Sequence, residues 1–292
     1  MLFNNRGGQP ASINPPMNTT QTADLRKAFL IYKNTVTSTL NNTTFYRSFL
    51  QLSVERYQQQ EYQPDQIFSS VFHAYNISSN QGDGYSRMYI ESDHFYTHEL
   101  QESSIAFIAS YQILSLLKIY NAMEIFVFQA IQIRFFPELK SPTGSRINTY
   151  KLTRAIEKSL TNLGVEFDTK NNRYLLSFLK AMSPEITWFL AEKVRIDLTP
   201  TYETFFDLVS ILRNLVGHHG TIVSTDTKNE ILSKAKDVFQ RHFSLIRDQD
   251  GYENLQPKVD QFSNFISFYN ELTVNIVKFI FGYEDLDLFD MY

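Results

Sequence analysis

Apolar residues recur at helical spacing along most of this chain. In residues 22–40, Leu25, Ala28, Phe29, Tyr32 and Val36 fall on one face, and in 44–61, Phe45, Phe49 and Leu52 do the same. Pro64-Asp65 predicts the opening of a third helix through Phe72 and Tyr75, because proline is tolerated in a first turn. From Glu102 to Phe136 the helical spacing is unbroken until Pro137 stops it, which predicts the spine of the fold. Further helices are expected at 146–163, closed by Gly164, at 171–182, at 184–195 after Ser183, and at 201–217 after Thr199-Pro200. Two more follow at 227–247 and 257–281, separated by Asp250-Gly251.

The breakers suggest how the chain is organised. Residues 1–21 are rich in Gly, Pro, Asn and Thr without apolar periodicity and read as a flexible arm. Asn80-Gln81-Gly82-Asp83-Gly84 separates an N-terminal helical section, 22–80, from a main helical bundle, 85–282, and 283–292 form an acidic tail. Tyr85 to Tyr96 fits either a short strand pair or irregular structure, so at most a minor hairpin is expected there. No repeat of fixed period is visible. The fold class that emerges is all-α, a helical bundle with an additional N-terminal helical section.

Composition narrows the function. With 292 residues and 43% hydrophobic side chains, the chain can bury a large core, which argues against a disordered or fibrous class. The 25 Phe and 17 Tyr are first of all core material. The absence of cysteine excludes disulfides, zinc-thiolate sites and thiol nucleophiles. The polar N-terminus lacks the apolar stretch of a signal peptide, so a cytoplasmic location is expected. Segment 104–136 carries Gln112, Lys118, Asn121, Glu124, Gln129, Gln132 and Arg134, a spacing that predicts a buried helix and no membrane span. A net charge of −4 gives no overall footprint for nucleic acid, although a stretch with Arg154, Lys158, Arg173, Lys180, Lys193 and Arg195 is locally basic.

One segment carries candidate chemistry. The apolar run Phe205 to Leu212 leads into Arg213-Asn214-Leu215-Val216-Gly217-His218-His219-Gly220. It resembles the signature of the HEPN superfamily: an Arg, usually followed by a polar residue, then a His after four to six residues near the end of a helix in an all-α bundle. Arg213, Asn214 and His218 match that signature, and His219 matches its five-residue variant. The resemblance covers about 102–247. It implies a HEPN-like bundle, metal-independent RNA cleavage without a cofactor, a homodimer that joins two motifs across one cleft, and a setting in toxin systems or cellular defence. HEPN toxins paired with a nucleotidyltransferase antitoxin commonly carry a Tyr two residues after the His; Gly220 stands there, which speaks against regulation by that route.

The residue types support the same chemistry without the name. Metal-free cleavage of RNA needs proton transfer and a fixed cation for the phosphorane charge. His218 exchanges protons near neutrality, Arg213 presents a planar charged fork, and Asn214 can orient either the imidazole or a phosphate oxygen. On a continuous helix, five steps of about 100° set Arg213 and His218 roughly 140° apart, so a site completed by a second chain is easier to build than one made alone. Gly217, four residues after Arg213, leaves that side of the helix bare and can admit a phosphate or a partner; its plainer role is to end the helix together with Gly220. His219 is expected to support the site from beside it. Glu124, among apolar neighbours, must find a partner or face water; it can pair with Arg213 or another Arg, or simply point outward.

Weaker signals add little. His94 and His98 stand four apart and would share a metal only on a helix, and His94 lacks the adjacent Glu of a zinc protease, so no metal site is assigned. No phosphate-binding glycine loop, nucleophile elbow or kinase motif is present. The tail Glu284 to Tyr292 mixes acids with large apolar side chains, a composition suited to docking on a basic-rimmed groove, of the protein itself or of a partner protein, although a frayed, solvated terminus is the plainer reading. The leading expectation is therefore a HEPN-type endoribonuclease acting on RNA. The alternatives are a non-catalytic HEPN-like module that binds nucleotide, RNA or protein, and a helical adaptor.

Overall fold

The computed structural model describes residues 18–59, 67–76, 87–139, 148–168 and 173–281, with backbone only at 67–76 and 87–95. Among the described residues the fold is all-α in character, with eight helices and two small antiparallel hairpins. The order is α1 (Thr19–Gln58), β1 (Ile67–Asn76), β2 (Arg87–Tyr96), α2 (Leu100–Phe135), α3 (Thr149–Asn162), α4 (Arg173–Met182), α5 (Pro184–Ala191), α6 (Tyr202–His219), α7 (Thr225–His242), β3 (Phe243–Arg247), β4 (Glu253–Pro257) and α8 (Phe262–Phe281). The Asn80–Gly84 breaker and the acidic tail lie outside the described residues.

Local chemistry sets most of the boundaries. The Asn148 side chain accepts the Lys151 amide at the start of α3, and Gly164, at φ +67°, ends the turn that follows it. Thr201 and Thr204 cap one another reciprocally at the start of α6, and Gly220 ends that helix at φ +65°. The Ser224 hydroxyl accepts the Thr227 amide at the start of α7, which kinks at the buried Ala235.

Several expectations need correcting, among them the helices expected at 184–195 and 257–281, which run Pro184–Ala191 and Phe262–Phe281. The two N-terminal helices are one: no Gly or Pro interrupts 41–44, and Asn and Thr lower helix propensity without breaking the ladder. The helix expected from Pro64 is strand β1, which pairs antiparallel with β2 from Ile67↔Tyr96 to Asn76↔Arg87. Its Ile, Val, Phe and Tyr content suits a strand, and the deciding pairing comes from residues some twenty positions away in sequence. The helix expected to run to 247 stops at His242, because 243–247 pair with 253–257. There Asp250-Gly251 closes a hairpin: the Asp248 carboxylate accepts the amides of Asp250 (3.1 Å) and Tyr252 (2.8 Å), with Gly251 at φ +85°.

The contacts divide into two compact units, residues 1–41 with 112–292, and residues 42–111. The larger unit is built around the middle of α2, where Ile119, Tyr120, Phe126 and Ile131 are almost fully buried together with Leu25, Phe29 and Tyr32 of α1. Tyr32 stacks on Phe126 at 5.2 Å and donates to Asn270 of α8 at 2.6 Å. Phe205 of α6 packs edge-on against Phe265, Phe268 and Tyr269 of α8, so α6 enters the core by its N-terminal half. In the smaller unit, Phe49, Phe45, Tyr46, Phe107 and Tyr111 form a run of ring contacts on α1 and α2, much of it exposed.

The sequence reading of 104–136 as free of any span also needs amending. The segment Thr97–Phe135 is long and apolar enough to cross a membrane, with a mean hydropathy of 1.3 in its most apolar window, 56% of which is buried inside the protein. The polar residues between its apolar ones did not lower the average enough to exclude a span by composition.

Candidate functional site

Helix α6 carries the motif and changes character along its length. Residues 205–212 are all buried, Arg213 and Asn214 are half-buried, Leu215 is buried again, and Gly217, His218 and His219 are exposed. This gradient follows from the sequence, an apolar run that gives way to Gly217-His218-His219-Gly220. The helix is continuous from Tyr202 to His219, so the angular separation of Arg213 and His218 stands at roughly 140°.

Arg213 is held in place from two sides. Its Nη1 donates to the Asn214 Oδ1 at 2.9 Å, and its guanidinium carbon lies 5.8 Å from the centre of the Tyr120 ring. The Tyr120 hydroxyl is 3.3 Å from the Ser210 Oγ, one helical turn before the motif. Asn214 thus orients Arg213, where the sequence suggested an imidazole or a phosphate oxygen. Glu124 is half-buried on α2 and its charge bears on Tyr174. His218 and His219 sit side by side with ring centres 6.5 Å apart.

Beside the motif lies a groove of about 720 Å³ that sequence reasoning did not anticipate. Leu215 and His219 of α6, residues 222–225 and 227–229 around the start of α7, and Arg247, Gly251, Tyr252 and Glu253 of the β3–β4 hairpin line it. His219 reaches this groove, and Arg213 and His218 are not among its walls. The hairpin is pinned in place: the Val223 amide donates to Glu253, the Leu255 amide donates to Thr221, and the Thr221 hydroxyl donates to the Asn254 side chain at 2.9 Å. Lys228 reaches both carboxylate oxygens of Glu253 at 2.8 and 2.9 Å.

A second polar centre sits earlier on α6. Asp207, only 5% exposed, accepts from Arg173 Nη2 at 2.6 Å and Nε at 3.1 Å, and from Lys234 at 2.7 Å. The hydrogen bonds to Asp207 favour the charged form of the Arg173 guanidinium and raise its pKa above the usual arginine value. The triad ties α4, α6 and α7 together beside a smaller groove of about 400 Å³. A lone acid in the apolar run Phe205 to Leu212 was a visible sign of it, because a buried carboxylate demands cations.

The two-histidine arrangement considered for a metal lacks its helix. His94 lies in strand β2, and His98 follows in a short 3-10 turn, stacked on Tyr96 at 5.4 Å. No family model, curated protein or solved structure matches this chain.

Proposed function

We propose that the protein is an endoribonuclease of HEPN type that needs no metal and works as a homodimer. The observation that supports this most is the placement of the motif. A helix anchored by its front half in the core brings Arg213 to the half-buried shoulder of the bundle and His218 into solvent. In this reading His218 accepts the proton of an RNA 2′-hydroxyl, whose oxygen attacks the adjacent phosphorus. The P–O5′ bond breaks, a 2′,3′-cyclic phosphate forms, and the 5′-oxygen takes up a proton from an acid, for which the partner protomer's copy of the same motif is the natural source. Arg213, steadied by Asn214 and Tyr120, carries the fixed charge that the pentacoordinate phosphorus requires. With the two residues on diverging faces of one helix, two motifs brought together complete the set.

A second reading has its own support. The Asn214 and Tyr120 contacts already occupy part of the Arg213 guanidinium, an arrangement that suits a non-catalytic module binding nucleotide or RNA. The test is cleavage of single-stranded RNA in EDTA. Cyclic phosphate ends, lost in His218→Ala with the helical circular dichroism signal intact, support the enzyme. A metal requirement, or full activity in His218→Ala, overturns it.

A further inference from the structure

The groove between the end of α6 and the β3–β4 hairpin brings aromatic, aliphatic, hydroxyl-bearing and cationic residues together. Tyr252 is 56% exposed and Ile222 46% exposed, so an aromatic ring and an aliphatic side chain stand open to solvent at its edge. The Arg247 side chain is exposed and makes no hydrogen bond or ion pair among the described residues, whereas the charge of Lys228 is matched by Glu253. Ser224, Thr225 and Thr227 belong to the same wall. The Tyr252 backbone is fixed by the Asp248 brace, and Asp248 also accepts from Asn254 at 2.8 Å, which holds the point where the ring leaves the hairpin. The volume lies within the range of pockets that enclose a small organic ligand.

We infer that this groove seats a nucleotide of single-stranded RNA, with its base on Tyr252 and its phosphate at Arg247, next to the His218–His219 pair. A single strand alternates flat apolar bases with anionic phosphates, and the groove offers both an exposed ring and a cation whose side chain has no ion-pair partner among the described residues. His219, which lines the groove and adjoins His218 in sequence, links the binding wall to the residue assigned to proton transfer. The inference names the substrate seat of the proposed ribonuclease and rests on that reading for the choice of RNA.

The experiment uses full-length protein in the His218→Ala background and a fluorescent single-stranded RNA of about six nucleotides, a length within the site sizes of known single-strand binders. Tyr252→Ala is expected to weaken binding by about fivefold or more, and Tyr252→Phe to restore it, because stacking needs the ring and not the hydroxyl. Arg247→Ala is expected to reduce the slope of log affinity against log salt by about 0.7, the share of one phosphate contact on a single strand. Both side chains are exposed, and circular dichroism checks that the variants fold. Unchanged binding and salt dependence in both variants overturns the groove assignment, as does failure of the parent to bind the RNA at all. Cleavage by the wild-type protein, measured separately, distinguishes the two readings. A protein that cuts RNA but ignores the groove variants loses only the groove. One whose groove variants lose binding, but which never cuts, loses only the ribonuclease.

Discussion

His242, 1% exposed, shows how a single residue sets a pH response. Its Nδ1 is 2.7 Å from the Val238 carbonyl, so that nitrogen donates, while Nε2 is buried without a partner between Phe265 and Phe268. Burial pushes its pKa down, as do the charges of Arg241 and Lys258, while the bond to Val238 works against them. A histidine depressed in the folded state binds its proton more readily when unfolded. Its contribution is therefore fully present above the unfolded value near 6.5 and is lost as pH falls from there toward the folded value. Denaturant titrations should show stability falling by up to about 1.4 kcal/mol per pH unit below that point from this group, and a smaller fall in His242→Phe. Equal slopes in both proteins would assign the pH response to other groups. Asp207 makes a second residue-scale case: Asp207→Ala leaves the Lys234 ammonium, 20% exposed, without its partner. Loss of about 2 kcal/mol is expected, below the usual figure for a broken buried pair because both cations reach solvent.

At the scale of elements, the two glycines of the motif separate by conformation. Gly217 lies within α6, and a Cβ there meets nothing within 4 Å, whereas Gly220 ends the helix at φ +65°. Gly217→Ala should therefore raise stability by about 0.5–1 kcal/mol through helix propensity and a stiffer unfolded chain. Gly220→Ala should lower it by about 1–3 kcal/mol through backbone strain. Thermal melts of the two variants check the signs. If the bare side of α6 admits a phosphate or a partner chain, Gly217→Ala will also cut less RNA despite melting higher. Unchanged cleavage would make Gly217 a helix-end residue alone.

For the whole molecule, the distribution of aromatic residues predicts where truncation hurts. Phe205 is fully buried against three rings of α8, and Phe205→Ala should cost about 3–5 kcal/mol. Phe45, 63% exposed on α1, should tolerate a change to Ser within about 0.5 kcal/mol. Equal losses would mean that α1 is covered in solution. Assembly is tested by mixing chains. If two motifs complete one site, dimers of Arg213→Ala with wild-type chains should retain much less than half of the wild-type rate, because each phosphate needs charge from both motifs. Retention of half would show that each motif acts alone.

The sequence by itself determined the helical class, the spine at α2 and most helix ends, because apolar spacing, Pro137, Gly164 and the hydroxyl caps act through neighbours a few residues away. It also placed Arg213, Asn214 and His218 at the end of one helix and implied their divergence, which follows from helical rotation alone. What it could not decide depends on partners distant in the chain. Strand β1 forms because β2 pairs with it, and β3 because β4 returns across the Asp248 turn. The Asp207 triad exists because α4 and α7 deliver Arg173 and Lys234 to one carboxylate. The groove likewise exists because the hairpin is pinned against residues 221–223, bringing Arg247 and Tyr252 into one lining with His219. Local rules of spacing and capping carry no information about such meetings, so only tertiary packing determined which of the motif's histidines would line a cavity.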